Sequence, residues 1–275
     1  TSFYNSTDGW RDWIGADGME TFIDKDNNDR MFGTSQQGQL YRSLDGGLTL
    51  SNISEPGSGS GNWVTPWEQD PVESITSYLG YNTVYKTTNA GNTWTPVSQN
   101  LGGNLDQLKV AASNNQVLYA SRGLLLFKTE DGGATDWTQL PNAGGLIRSI
   151  AIHPTNPDMV AVATSSGSKV FVTLDGGATW IDYKFNLPNF SSLAVVWDDN
   201  GEDGLYLGMN YGLFYIDNTF TEWQPYNTNL PNVIVNELEI NSADGKFYAG
   251  TYGRGVWASP IVPHILNTES FLTAG

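Results

Sequence analysis

The eight residues TLDGGATW, Thr173 to Trp180, return three more times in altered form: SLDGGLTL from Ser43 to Leu50, TTNAGNTW from Thr87 to Trp94, and TEDGGATDW from Thr129 to Trp137, one residue longer. Spacing of about 43 residues between copies is the period of a radial or stacked repeat, so it sets the architecture before any local reading does.

The aromatic residue ahead of each box serves as a ruler: Tyr41, Tyr85, Phe127 and Phe171, then Phe214 and Trp257 where the box itself has decayed. Successive intervals are 44, 42, 44, 43 and 43 residues. Each unit carries apolar strand-like runs upstream of its aromatic, such as Ile147 to Ile152, Met159 to Ala163 and Val170 to Val172. A tight hairpin then leads to a further strand near the box Trp. Four short antiparallel strands per unit predict an all-β fold, a β-propeller of six or seven blades. Glu20 to Asp24 with Arg30 to Thr34, Ile75 to Leu79, Leu105 to Ala111 with Val117 to Ala120, Leu193 to Trp197 with Leu205 to Gly208, and Val235 to Ile240 with Phe247 to Gly250 supply the other units. Leu140-Pro141-Asn142, Leu187-Pro188-Asn189 and Leu230-Pro231-Asn232 recur between units, where proline stops a strand and presets a turn.

The letters of the box describe a hairpin fastener. Ser43, Thr87, Thr129 and Thr173 open it. Asp45, Asn89, Asp131 and Asp175 can fold an oxygen onto N–H groups of their own turn, and Gly47, Gly91, Gly133 and Gly177 allow positive φ. Trp94, Trp137 and Trp180 cover the turn from the next strand. Repetition on every blade favours this structural role over catalysis or calcium binding by the aspartates.

Residues 1–260 are expected to form the propeller, with 261–275 a tail or linker. Ser6-Thr7-Asp8-Gly9 followed by Trp13 is a worn box, so the chain starts inside a blade. Either Trp10 to Ile14 supplies the outermost strand of the last blade and closes six, or blades upstream make seven or more. The opening Thr1-Ser2-Phe3-Tyr4, without an initiator Met, points to processing, trimming or excision from a longer precursor.

Composition narrows the partners. A net charge of −16, from 29 acidic against 13 basic residues, repels phosphate backbones and anionic lipid, which argues against nucleic acid. No run of 18 apolar residues is present, so no helical membrane insertion is expected. The absence of Cys removes disulfides, thiolate zinc and a thiol nucleophile.

SLDGG, TTNAGNTW, TEDGGAT and TLDGGATW resemble the Asp-box, or bacterial neuraminidase repeat. Sialidases, xyloglucanase-type glycosidases, sortilin-type receptors and a photosystem assembly propeller share it. GADGMET (Gly15 to Thr21), Gly38 to Ser43 and YAGTYGRGVW (Tyr248 to Trp257) are similar to sortilin-like repeat regions of large exported bacterial surface proteins. The resemblance covers about residues 1 to 260. It implies the propeller fold, while it says little of activity; the expected role is a secreted or cell-surface module, joined to other domains of a larger precursor, that binds protein or carbohydrate without catalysis.

A glycoside hydrolase, sialidase-like or xyloglucanase-like, is the alternative, and a structural spacer in an adhesin a third. Sialidase-like sites resemble an arginine triad with an Arg-Ile-Pro motif, and no Arg-Ile-Pro occurs among Arg11, Arg30, Arg42, Arg122, Arg148 and Arg254. Xyloglucanase-like enzymes resemble two propellers clasping a groove, and this chain holds one propeller's worth of repeats. His153, in a turn before Pro154, and His264 offer neither metal pair nor triad.

The irregular insertion from Glu55 to Asp70 reads as a flexible loop ending in two tryptophans. Trp63 and Trp67 beside Glu68 and Asp70 are candidate ligand-binding residues, against packing of one or both tryptophans between blades. Trp10 and Trp13 read as blade core. Glu73, Arg148 and Glu237 are expected around the central channel. No cofactor is expected. Asp24, Asp26 and Asn28 alternate like the start of a calcium loop but lack its sixth-position Gly and closing Glu. A polar hairpin turn is the stronger reading there and for Asp198 to Asp203.

Overall fold

The second strand of each unit is its most continuously apolar or small-residue stretch, as in Val160-Ala-Val-Ala-Thr164, and such runs belong inside a sheet covered on both faces. The computed structural model describes residues 1–5, 7–57, 59–166 and 168–262. The sequence readings at Ser6, Ser58, His264 and most of the expected tail fall outside them.

A hairpin of β1 (Ser2–Asn5) and β2 (Gly9–Asp12) precedes six blades. Blade 1 contains β3 (Thr21–Ile23), β4 (Met31–Thr34), β5 (Leu40–Ser43) and β6 (Ser51–Ile53). Blade 2 contains β7 (Trp67–Gln69), β8 (Ser77–Gly80), β9 (Val84–Thr87) and β10 (Thr95–Pro96). Blade 3 contains β11 (Gln107–Val110), β12 (Leu118–Arg122), β13 (Leu125–Thr129) and β14 (Thr138–Gln139). Blade 4 contains β15 (Ile147–Ile152), β16 (Val160–Thr164), β17 (Val170–Thr173) and β18 (Ile181–Asp182). Blade 5 contains β19 (Ser192–Asp198), β20 (Gly204–Met209), β21 (Leu213–Ile216) and β22 (Gln224–Pro225). Blade 6 contains β23 (Val235–Asn241), β24 (Lys246–Thr251) and β25 (Gly255–Pro260). All ladders are antiparallel and follow chain order from the channel outward, giving the expected all-β propeller. Five blades have four strands, and the sixth has three among the described residues.

Apolar clusters fasten each blade to the next. Phe32 and Leu40 pack with Trp67 and Leu79 between blades 1 and 2, and Val84 with Leu118 and Phe127 between blades 2 and 3. Ala111 packs with Ile150 between blades 3 and 4, Val170 with Leu205 between 4 and 5, and Tyr206 with Phe247 between 5 and 6. Close approach requires Gly208 in β20, where a Cβ would meet Val235 Cγ1 of blade 6 at 2.7 Å.

The boxes are the fasteners that their letters describe. In the fourth, Thr173 Oγ1 accepts the Gly177 N–H at 2.9 Å and donates to Asp175 Oδ1 at 2.7 Å. Asp175 in turn accepts the Thr179 N–H and hydroxyl. Ser43–Asp45–Thr49, Thr87–Asn89–Thr93 and Thr129–Asp131–Thr135 repeat the pattern. These hydrogen bonds hold the Asp45, Asp131 and Asp175 carboxyls down at about 2. The box tryptophan Trp137 and its counterpart in blade 5, Trp223, insert between blades: Trp137 Nε1 donates to Val97 O at 2.8 Å and Trp223 Nε1 to Tyr183 O at 2.7 Å, each on the preceding blade.

Several expectations change. Among the described residues Trp10 to Ile14 pairs with β1 and not with the last blade. Trp13 is buried against Met31 of blade 1, as core, whereas Trp10 is 72% exposed and stacks edge-on to Tyr4. Blade 2 gains an inner strand, β7, from the end of what read as a flexible loop. Both acidic runs form the expected hairpin turns. Asp24 is buried, accepts the Asp26 and Asn27 N–H groups, and pairs with Arg30 at 3.0 Å. Asn200 accepts the Glu202 and Gly204 N–H groups. His153 is buried, with Nε2 3.2 Å from Asp203 and its ring edge-on to Trp197.

Candidate functional site

Inner strands turn alternate side chains into the central channel, so the residue types at those positions decide what the channel offers. At its mouth, where the inner strands begin, a cavity of about 740 Å³ is lined by Glu20, Trp63, Glu68, Lys109, Arg148 and Glu237 among others. Toward the opposite face the lining mixes Val110, Ile152, Val196 and Ile240 with Asp198, Asp199 and Ser242.

Lys109 of β11 is the electrostatic centre. Its Nζ lies 2.5 Å from Glu68 Oε1 of β7. Its ammonium is raised above the ordinary lysine range: burial acts against the charge, and Glu68, Glu239 and Glu20 outweigh it. The carboxylates respond in the opposite sense. Enclosure and then the neighbouring Glu68 push Glu20 up to about 8. Enclosure, partly offset by Lys109 and then reinforced by Glu239, pushes Glu237 up to about 7. Enclosure also raises Glu68 despite its pairing with Lys109. Glu237 nonetheless stays exposed to the water of the channel, which dilutes the energetic weight of its shift. The mouth therefore combines two carboxyls, Glu20 and Glu237, held above the ordinary carboxylate range, a paired lysine, and Arg148, which makes no ion pair among the described residues.

Trp63 overlooks this mouth from a segment held on both sides. Its carbonyl accepts the Gln37 N–H at 3.3 Å, and the Gly61 N–H donates to Gln37 O at 2.9 Å. Gln37, at φ +63° in the short 3₁₀ turn Gln36–Gly38, ties the segment to blade 1. On the other side Asn62 Nδ2 donates to Asp106 Oδ1 at 2.7 Å, and Asn104 Nδ2 to Ser60 O at 2.9 Å, tying it to blade 3. The indole itself is 60% exposed.

Of the candidates read from the sequence, the structure brings Trp63, Glu68, Arg148 and Glu237 together. It removes three others. Trp67 is 1% exposed, packed against Phe22 and Phe32, with Nε1 donating to Ser77 Oγ. Asp70 is buried, capping the Val72 and Glu73 N–H groups and accepting from Tyr78 and Asn115. Glu73 is exposed in the β7–β8 turn, at the end of β7 remote from the mouth. Sequence reasoning missed Glu20, Lys109 and Glu239. Their available signal was register: each belongs to or adjoins an inner strand, and Lys109 alternates with the buried Leu108. Among the described residues no group of three or more His, Asp or Glu is arranged to hold a metal ion.

Comparison with known proteins places this architecture. No protein-family model matches the chain. A xyloglucanase of Hypocrea jecorina (strain QM6a) is 28% identical over 152 residues, which is 52% of this chain and 18% of that protein. The chain thus spans less than a fifth of that relative. Among solved structures, a YCF48 bound to D1 peptide superposes with a TM-score of 0.67 at 15% identity, covering 89% of this chain and 79% of that one. A GH74 xyloglucanase from Xanthomonas campestris superposes at 0.69 and 16% identity, covering 90% and 45%. An ancestral GH74 enzyme gives 0.65 and 15%, covering 90% and 39%. These likenesses show the propeller fold. The chain spans less than half of each GH74 enzyme and most of the YCF48.

Proposed function

We propose that the chain is a non-catalytic recognition propeller of the Asp-box kind, part of a secreted or cell-surface protein, that binds a peptide or glycan across the channel mouth. The observation that carries this reading is Trp63: an exposed indole whose backbone is clamped to two blades, beside a mouth rich in hydrogen-bonding groups. An aromatic held in place costs little to order on binding and offers a flat face to a sugar ring or an apolar side chain. Two further points support it. The superposable YCF48, of comparable length, carries a peptide, and the Lys109–Glu68 pair already neutralises one mouth carboxylate.

A hydrolase is the second reading, favoured by one feature: enclosure beside Glu68 raises the Glu20 carboxyl toward neutral pH, the range a general acid requires. Screening the purified chain on glycan and peptide arrays, with product analysis by mass spectrometry, separates the two. Binding that Trp63→Ala weakens at least tenfold, with every ligand recovered intact, is the expected result. Cleaved glycan that disappears in Glu20→Gln would replace recognition by hydrolysis.

A further inference from the structure

Blades 2 to 5 close their outer edge in one way. The segments Trp94-Thr-Pro-Val97, Trp137-Thr-Gln-Leu140, Trp180-Ile-Asp-Tyr183 and Trp223-Gln-Pro-Tyr226 share the pattern Trp-x-x-apolar. The two middle residues form the outermost strand. The apolar residue then donates its N–H to a third-strand carbonyl: Val97 to Val84 O, Leu140 to Leu126 O, Tyr183 to Val170 O and Tyr226 to Leu213 O, all at 2.8 or 2.9 Å. The tryptophan fills a socket against the preceding blade. Around Trp137 that socket holds Val84, Leu101, Leu118, Ala120 and Phe127, and around Trp223 it holds Val170, Leu187, Leu205, Leu207 and Phe214.

The same repeat positions between blades 5 and 6 are Leu213, Leu230, Phe247, Ala249 and Trp257, and here they line a cavity of about 340 Å³. No tryptophan fills it among the described residues. Beside it, β25 pairs with β24 alone among the described residues. Trp257 and Ala258 stand where Phe127 and Lys128 pair with Gln139 and Thr138 in blade 3. Alternation along a strand then turns the N–H and C=O of Val256 and Ala258 outward, at an edge that five other blades cover.

We propose that this edge and socket are a docking site for an extended segment of another polypeptide with the pattern Trp-x-x-apolar. Its indole enters the cavity, its next residue pairs with Ala258, and its fourth residue donates an N–H to Val256 O. This is strand addition with a single anchoring side chain. The occupant follows from the repeat itself, because four homologous sockets in the chain hold tryptophan. Residues 263–275 contain no Trp, and the chain leaves β25 across the blade, with the Ile261 N–H on Gly245 O and the Val262 N–H on Tyr206 Oη.

Calorimetric titration of the full chain with the synthetic peptide GNTWTPVS, the sequence of residues 91–98, tests this. One saturable site is expected, at least tenfold weaker for the peptide with Trp replaced by Ala. Thr228→Trp, an exposed change at the cavity rim, should abolish binding, as should Ala258→Pro, which removes an outward N–H. Amide hydrogen exchange at Val256 and Ala258 should slow when the peptide is added. Absence of binding, or equal binding by the Ala peptide, overturns the proposal. So does protection of those two amides in the chain alone, which would assign the edge to the chain's own remaining residues.

Discussion

Gly177 shows how far single letters constrain this protein. It sits at φ +95°, and a Cβ there would stand 2.6 Å from Leu140 Cδ1 of the preceding blade, so Gly177→Ala meets backbone strain and a packed side chain together. Thermal and denaturant unfolding should show a loss of about 1–3 kcal/mol. Thr173→Ala removes the hydroxyl that holds the Gly177 N–H and Asp175, in a fully buried position, and should cost about 1–2 kcal/mol. Within the boxes the sequence is legible at this scale, because the Asp, Gly and Thr of a turn interact with their own neighbours. Trp67 and Asp70 were not legible, since their partners Phe32 and Asn115 lie in other blades. A tryptophan near a Gly-Ser run looks alike whether it packs or protrudes.

At the scale of elements, the 43-residue ruler located all six blades in outline and lost one strand. β7 is three residues long, follows Pro66 and emerges from a polar insertion, so no alternation was long enough to declare it. That strand gives two neighbouring tryptophans opposite roles. Trp67→Ala should lower stability by about 3–5 kcal/mol, through the cavity left between blades 1 and 2. Trp63→Ala should leave the melting temperature within about 1–2 °C, because an exposed side chain contributes little. Circular dichroism melts of the pair check both, and a large loss in Trp63→Ala would show that the mouth segment depends on its indole. The hairpin β1–β2 repeats a smaller unit. Trp10-Arg-Asp-Trp13 follows the Trp-x-x-apolar pattern, and the Trp13 N–H reaches Thr1 O at 2.9 Å, so it reproduces the outer half of a blade. Where this hairpin packs rests on long-range contacts that no local signal carries.

For the whole molecule, two sets of carboxyls pull stability in opposite directions along the pH axis. The box aspartates, held at about 2 by their own turns, contribute stability that is present above 3.8 and lost as pH falls toward 2. Glu20 and Glu237, raised to about 8 and about 7, hold protons when folded that the unfolded chain releases from 4.5 upward. Their contribution is therefore complete below 4.5 and declines as pH rises through 7 and 8. The melting temperature should peak on the acid side of neutrality, and Glu20→Gln should flatten the decline between pH 5 and 8. A peak above pH 7, or an unchanged slope in the variant, would contradict the channel electrostatics.

Five apolar clusters join the blades in succession, a sixth joins the N-terminal hairpin to blade 1, and none among the described residues joins blade 6 to blade 1. A wheel fastened this way has two ends, and its energetics are those of a stack of coins. Each blade gains from its nearest neighbours alone, so the terminal layers fray before the middle ones melt. Heat capacity scans should then broaden from the blade 6 end, and a strand seated on β25 should sharpen them by giving the last coin a neighbour.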